Sequence, residues 1–133
     1  MKKILLLFIL GSASLWGWAQ NVSGESNNGP KIEFATATLD YGQISQNSDG
    51  NRAFEFTNTG NQPLLLTNVV ASCGCTATDW PREPIKPGGK GKITVKYNTA
   101  IIGPFRKSIR VFSSASPQAL YLTIMGEIKP IAE

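Results

Sequence analysis

From residue 31 onward, apolar and polar side chains alternate in short runs broken by turn-forming residues. Over residues 52–58, Phe54 and Phe56 share one parity and Ala53, Glu55 and Thr57 the other. Over 91–97, Ile93, Val95 and Tyr97 stand opposite Lys92, Thr94 and Lys96. Over 105–113, Phe105, Ile109 and Val111 oppose Arg106, Ser108 and Arg110. Lys107 falls on the apolar parity, which puts it at a strand end or shifts the register there. Over 118–127, Leu120, Leu122 and Ile124 oppose Tyr121, Thr123 and Met125. A period of two marks half-buried strands, because successive side chains leave a strand on opposite faces. Residues 31–44 predict a first strand with a break near Asp40. Residues 64–70 carry apolar side chains on both parities, so that strand is central or bulged and its register is open.

Turn signals separate these runs: the loop 45–50, Asn58-Thr59-Gly60-Asn61, the looser stretch 76–84, the loop 98–104 and the turn 114–117. In Lys86-Pro87-Gly88-Gly89 proline suits the first central position and glycine the second, as a type II turn requires. No helical period is present. About seven strands at this spacing predict an all-β, immunoglobulin-like β-sandwich of antiparallel strands over residues 31–129, with 130–133 a tail. A barrel is the alternative.

The N-terminus has a different character. Lys2 and Lys3 precede the apolar run 4–10, and small residues at Gly17 and Ala19 follow. This reads as a secretory signal peptide over 1–19, with the apolar run short of the roughly 20 residues a membrane span needs. No cysteine adjoins the expected cut, so lipid attachment there is not expected. Residues 20–30 are polar and rich in Gly, Ser and Asn, a flexible lead-in. With the leader gone, no transmembrane segment is expected.

Composition narrows the chemistry. Thirteen basic and nine acidic residues give a net charge of +4, lowered by the loss of Lys2 and Lys3 with the leader. So mild a balance points to solubility and not to nucleic-acid binding. Histidine is absent. That removes Ser-His-Asp and Cys-His nucleophiles, histidine bases and histidine-ligated zinc. Asp40, Asp49, Asp79 and Glu83 show no acid pair set for glycoside hydrolysis. No catalytic residue and no cofactor are assigned.

Cys73 and Cys75 are the two cysteines of the chain, with Gly74 between them. In an extended segment their Cα atoms would lie roughly 6.5–7 Å apart, at the limit for a disulfide. A turn at Gly74 would shorten that distance. So small a ring gains only about 1.5 kcal/mol of loop entropy, so the bond would not exist mainly for stability. Four readings stand. The pair forms a short disulfide, favoured by an oxidising compartment. It binds Cu(I) with Met125, or zinc completed by Asp79 or Glu83. It exchanges with partner thiols. Or it consists of two small packing residues.

Taken together, Phe54-x-Phe56-x-Asn58-x-Gly60, Cys73-Gly74-Cys75-Thr76, Pro87-Gly88 and Gly126 resemble the secreted bacterial family called domain of unknown function 1573, over about residues 32–128. The resemblance implies an immunoglobulin-type sandwich, related in shape to domains of cilia proteins and pilus chaperones. It also implies a place in the envelope of a Gram-negative, Bacteroidetes-like cell. The family name states no activity.

Two surface candidates remain. Asp79, Trp80 and Arg82 form a possible binding loop beside the cysteines, with Trp80 either an anchor or a cap on the core. Lys86, Lys90, Lys92, Lys96, Arg106 and Arg110 would form a basic face if their strands pair, and otherwise a solvated sheet surface. The expectation is a secreted, non-enzymatic binding or structural module of the periplasm or outer envelope. Its partner is a protein or another envelope component, met at an edge strand or at the loop end carrying Cys73, Cys75 and Trp80. The alternative is a thiol-redox or Cu(I)-handling protein.

Overall fold

The computed structural model describes residues 28–131 together with Gly11. The expected leader (Gly11 apart), residues 20–27 of the lead-in and residues 132–133 of the tail lie outside the described residues. Eight strands follow in order: β1 (Ile32–Phe34), β2 (Thr38–Ser45), β3 (Asn51–Asn58), β4 (Leu66–Ala71), β5 (Thr76–Asp79), β6 (Lys90–Tyr97), β7 (Gly103–Ser113) and β8 (Ser116–Lys129). They form two four-stranded sheets, β1-β3-β6-β5 and β2-β8-β7-β4. The fold is a β-sandwich, as the alternation predicts.

Three details differ from the sequence expectation, the third being the place of Lys107. The stretch 76–84 is not loose throughout, because β5 pairs with β6 from Thr76↔Tyr97 to Asp79↔Thr94. The second concerns the first strand. Its break lies not at Asp40 but before Thr38, where the path leaves the first sheet after β1 and joins the second as β2. So short a crossing does not reverse the chain. β2 therefore keeps the direction of β1 and pairs with β8 in parallel, the one parallel pairing among the described strands. The signal near Asp40 is a bulge within β2, where Gly42 takes a positive φ of 65°.

The inward faces are those the alternation marks. Phe54, Phe56, Ile93, Val95 and Tyr97 of the first sheet meet Ile109, Val111, Leu122, Ile124 and Ile128 of the second. The ambiguous run 64–70 is resolved by a register shift between Leu66 and Asn68. Leu64 and Leu66 point inward before it and Val69 after it, so both parities are buried. Lys107 is neither at a strand end nor out of register. It sits mid-strand on the inward parity, opposite Ile124 and half-buried.

One end of the sandwich is closed around Asn58, which is fully buried. Its Nδ2 donates to the carbonyls of Gln62 (2.7 Å) and Ile85 (2.9 Å). Its Oδ1 accepts from the N–H of Gly60 (3.0 Å) and of Lys31 (3.3 Å). Its backbone bonds Gly88 and Gly89 in the turn after Pro87. That turn has the expected form: the Gly89 N–H donates to the Lys86 carbonyl at 2.8 Å and Gly88 has φ +76°. Gly60 leaves room for the chain at Gly29 and Lys31, where a Cβ would collide with backbone. The last residues of the lead-in are thus held, Gly29 bonding Asn61 through both of its backbone groups.

The other end is closed by rings. Tyr97 stacks on Phe105 at 3.8 Å between centroids, and Tyr41 meets Phe105 edge-on at 5.3 Å. The Tyr41 hydroxyl donates to the Gly50 carbonyl at 2.9 Å. Burial pushes its pKa up to about 12, against a smaller opposing effect of Arg52, whose guanidinium lies 4.3 Å from the ring centre.

Candidate functional site

Cys73 and Cys75 occupy the passage from β4 in one sheet to β5 in the other. The Thr76 N–H donates to the Cys73 carbonyl at 3.4 Å, which makes residues 73–76 a turn. The turn brings the two Cα atoms to 5.3 Å, and the sulfurs are joined. Of the four readings, the disulfide is the one this geometry contains. Gly74 is not what makes it possible. A Cβ there would meet open space, and its backbone lies outside the left-handed region. The Cys75 carbonyl accepts from the Asn98 N–H at 2.9 Å and the Ser72 N–H donates to Ser108 at 2.9 Å, so the turn is tied to both sheets.

Asp79, Trp80 and Arg82 do come together. The Arg82 guanidinium lies 3.5 Å over the Trp80 ring and 3.9 Å from the Asp79 carboxylate. Trp80 packs against the core beneath Arg82, so it acts as a cap. Its indole N–H is buried and meets no acceptor among the described residues. The shared loop end is overturned, however. β5 runs between the cysteine turn and this cluster, and its four residues span about 13 Å. Sequence neighbours are parted because the intervening residues are extended.

Met125 is not brought to the cysteines. It lies on β8, separated from β4 by β7, with its Sδ 3.5 Å from an Arg106 Nη. Asp79 and Glu83 lie at and beyond the far end of β5. Among the described residues no three His, Cys, Asp or Glu side chains group closely enough to hold a metal ion. The single basic face also dissolves. Lys90, Lys92 and Lys96 are on β6 of the first sheet, while Arg106 and Arg110 are on β7 of the second. They lie on opposite outer surfaces of the sandwich. Lys92 faces Glu55 at 3.7 Å beside a groove of about 610 Å³ that Glu33 also lines.

What sequence reasoning missed is the outer face of the second sheet. Register places Val70, Arg110 and Tyr121 in one row, and Met125 beside Arg106 in another. Phe112 lies 5.8 Å from the Arg110 guanidinium. Tyr121 is 64% exposed. The signal was visible in the polar parity of β7 and β8, which carries Phe112, Tyr121 and Met125 where solvated strands carry polar residues.

The family motif now has a structural account. Phe54 and Phe56 are core, and Asn58 and Gly60 close one end with Pro87 and Gly88. Gly126 admits Tyr41 and Phe105, and Thr76 is buried beside the disulfide. The model of the family described as Protein of unknown function (DUF1573) matches residues 32–128. The chain belongs to this family. A human protein, the Hydrocephalus-inducing protein homolog, is 30% identical over 101 residues, covering 74% of this chain and 2% of that protein. A protein of unknown function from Porphyromonas gingivalis W83 superposes with a TM-score of 0.68 at 18% identity, covering 81% of this chain and 51% of that one. The ASH/PapD-like domain of human CEP192 superposes with a TM-score of 0.64 at 9% identity, covering 77% of this chain and 87% of that one. This chain thus spans a small fraction of the human relative and about half of the Porphyromonas protein, and at such identities the two structural likenesses show the fold alone. No helix among the described residues is long and apolar enough to cross a membrane.

Proposed function

We propose that this chain is a non-enzymatic protein-binding module of the bacterial cell envelope. The observation that carries the reading is the outer face of the second sheet, where Val70, Phe112, Tyr121 and Met125 interleave with Arg106 and Arg110. Exposed aromatic and arginine side chains on a rigid surface are the groups that dominate protein interfaces. The absence of histidine supports the non-enzymatic part, and the leader-like residues 1–19 support the location. The test places a photo-crosslinking residue at position 121 and, separately, at Thr94 on the opposite outer face, in cells fractionated by osmotic shock. A discrete adduct from position 121 alone, in the envelope fraction, is the expected result. Equal labelling from both positions, or none, rejects the reading.

A second reading rests on the disulfide itself, which lies on a turn with both cysteines half-buried instead of sealed in the core. A partner dithiol would pass two electrons and two protons to it, leaving Cys73 and Cys75 as thiols and the partner as a disulfide. A measured potential below about −300 mV marks a structural bond and removes this reading.

A further inference from the structure

β4 stops short of the end of its neighbour. It pairs with β7 as far as Ala71↔Ile109, and Ser72 adds one more contact at Ser108 before the chain leaves for the cysteine turn. Backbone groups along a strand point to alternate sides. The Ser108 carbonyl accepts from Ser72 and its N–H donates to the Ser72 hydroxyl at 3.2 Å, so the even-numbered residues of β7 face the β4 side. The next even positions are Arg106 and Pro104. The N–H and C=O of Arg106 and the C=O of Pro104 therefore lie along an edge with no backbone partner among the described residues. Both residues are exposed.

The other described edges are covered or broken. On β5 and β4 the two sheets meet, the Thr78 hydroxyl donating to the Val69 carbonyl at 3.1 Å. On β2 the Thr36 hydroxyl bonds both backbone groups of Thr38, and Asp40 takes the Gly42 N–H beside the bulge. β1 has three residues. The start of β7 is thus the edge on which an added strand would find several aligned backbone groups.

The surroundings select what such a strand must be. Ile101 and Ile102, 46% and 51% exposed, lead into this edge. Lys107 points inward where β4 is missing, half-buried, with no ion-pair partner among the described residues. An apolar strand laid here would bury that ammonium unpaired, which is costly. A carboxylate facing it would pair it. Arg106 adds a second cation on the outer side.

We infer that the Gly103–Lys107 edge of β7 takes up an extended peptide segment from a partner protein, adding a strand to the second sheet, and that this segment carries a carboxylate opposite Lys107 and an aliphatic side chain against Ile101 and Ile102. The inference rests on the binding-module reading and extends it to a site and a partner chemistry. Lys107 gives the specificity: it rejects wholly apolar strands and admits acidic ones.

The experiment uses the chain with residues 1–19 removed and a panel of ten-residue peptides alternating valine and threonine. One central position is Glu, Lys or Val, and a fourth peptide carries Pro beside the Glu. Binding is followed by amide NMR and hydrogen exchange. The expected result is protection of the Arg106 amide by the Glu peptide, with affinity at least about tenfold above the Lys and Val peptides and loss with the Pro peptide. Lys107→Glu reverses the preference toward the Lys peptide. Arg106→Pro abolishes binding while the fold is kept, because that N–H bonds no backbone group among the described residues. Charge-independent binding, protection on β2 instead, or no binding to any peptide at millimolar concentration overturns the inference. If adducts at position 121 persist in the Arg106→Pro, Lys107→Glu variant, the module reading stands without this edge. If those adducts were absent to begin with, the module reading itself fails.

Discussion

The two ends of the sandwich are closed by different physics. At one, a buried amide satisfies both its donors and its acceptor, gathering the lead-in, the 58–62 turn and the 85–89 turn into one hydrogen-bonded knot. At the other, three aromatic rings fill the opening. The loops around them are tied by many separate bonds, such as the Thr99 hydroxyl to the Ser48 carbonyl and the Asn47 N–H to the Thr99 carbonyl, with no single side chain gathering them. The amide end tolerates no substitution of its polar atoms, because each removal strands a buried group. Beside the aromatic end, the Arg106 edge of β7 has no backbone partner among the described residues, and the disulfide turn lies next to it. At the first end one side chain joins three segments, whereas at the second the rings fill the volume and each loop is bonded separately.

Several substitutions break or sharpen that contrast, beginning with the most damaging. Asn58→Ala leaves the Gln62 carbonyl and the Gly60 N–H without the side chain that bonds them, and is expected to cost about 3–5 kcal/mol in urea unfolding. A loss below 1 kcal/mol would show that water replaces the amide and that the knot is not closed. Gly91→Ala follows. Its Cβ would lie 2.5 Å from the Phe56 ring, and overpacking of this kind costs about 1–3 kcal/mol. The Cys73→Ser, Cys75→Ser pair should lower stability by only about 1.5 kcal/mol, because the closed loop is so short. A chain that failed to fold without the bond would make the aromatic end dependent on it.

The aromatic end also has a pH signature. Tyr41 has a raised pKa in the folded chain, so the folded state holds that proton more tightly than the unfolded one. Its contribution is complete below about pH 10 and is lost as pH rises toward about 12. Tyr41→Phe should flatten this alkaline decline, as read by thermal unfolding across that range. The smallest effect is expected at Gly74→Ala, within about 0.5 kcal/mol, since a methyl there meets open space. A large loss would mean that the cysteine turn needs a conformation only glycine supplies.

Much of this was legible beforehand, for a definite reason. Alternation is local, so Phe54 and Phe56, or Ile93 and Val95, declare their inward face without any knowledge of a partner strand. The Pro87-Gly88 turn is local too, and its type follows from two residues. Asn58 was quoted as a motif residue but its burial was not foreseen. An asparagine two residues before a glycine reads equally well as an exposed turn, and only the carbonyls of Gln62 and Ile85 distinguish the two. The candidate site was misjudged where sequence distance stood in for spatial distance: Cys75 and Trp80 are near in the chain and stand at opposite ends of β5.

What the sequence determined by itself was most of the strands, though neither β5 nor the division of β1 from β2, the side that each regularly alternating strand buries, and the one turn whose type its residues dictate. These depend on steric and hydrophobic preferences that act within a few residues. Only the tertiary structure decided that β2 lies parallel to β8, that the lysines of β6 and the arginines of β7 face opposite ways, that Cys73 and Cys75 meet, and that β7 keeps an open edge. Each of those depends on which strands pair and where a crossing leaves one sheet for the other. Such pairings are set by the joint packing of distant segments, for which no single run of residues carries the information.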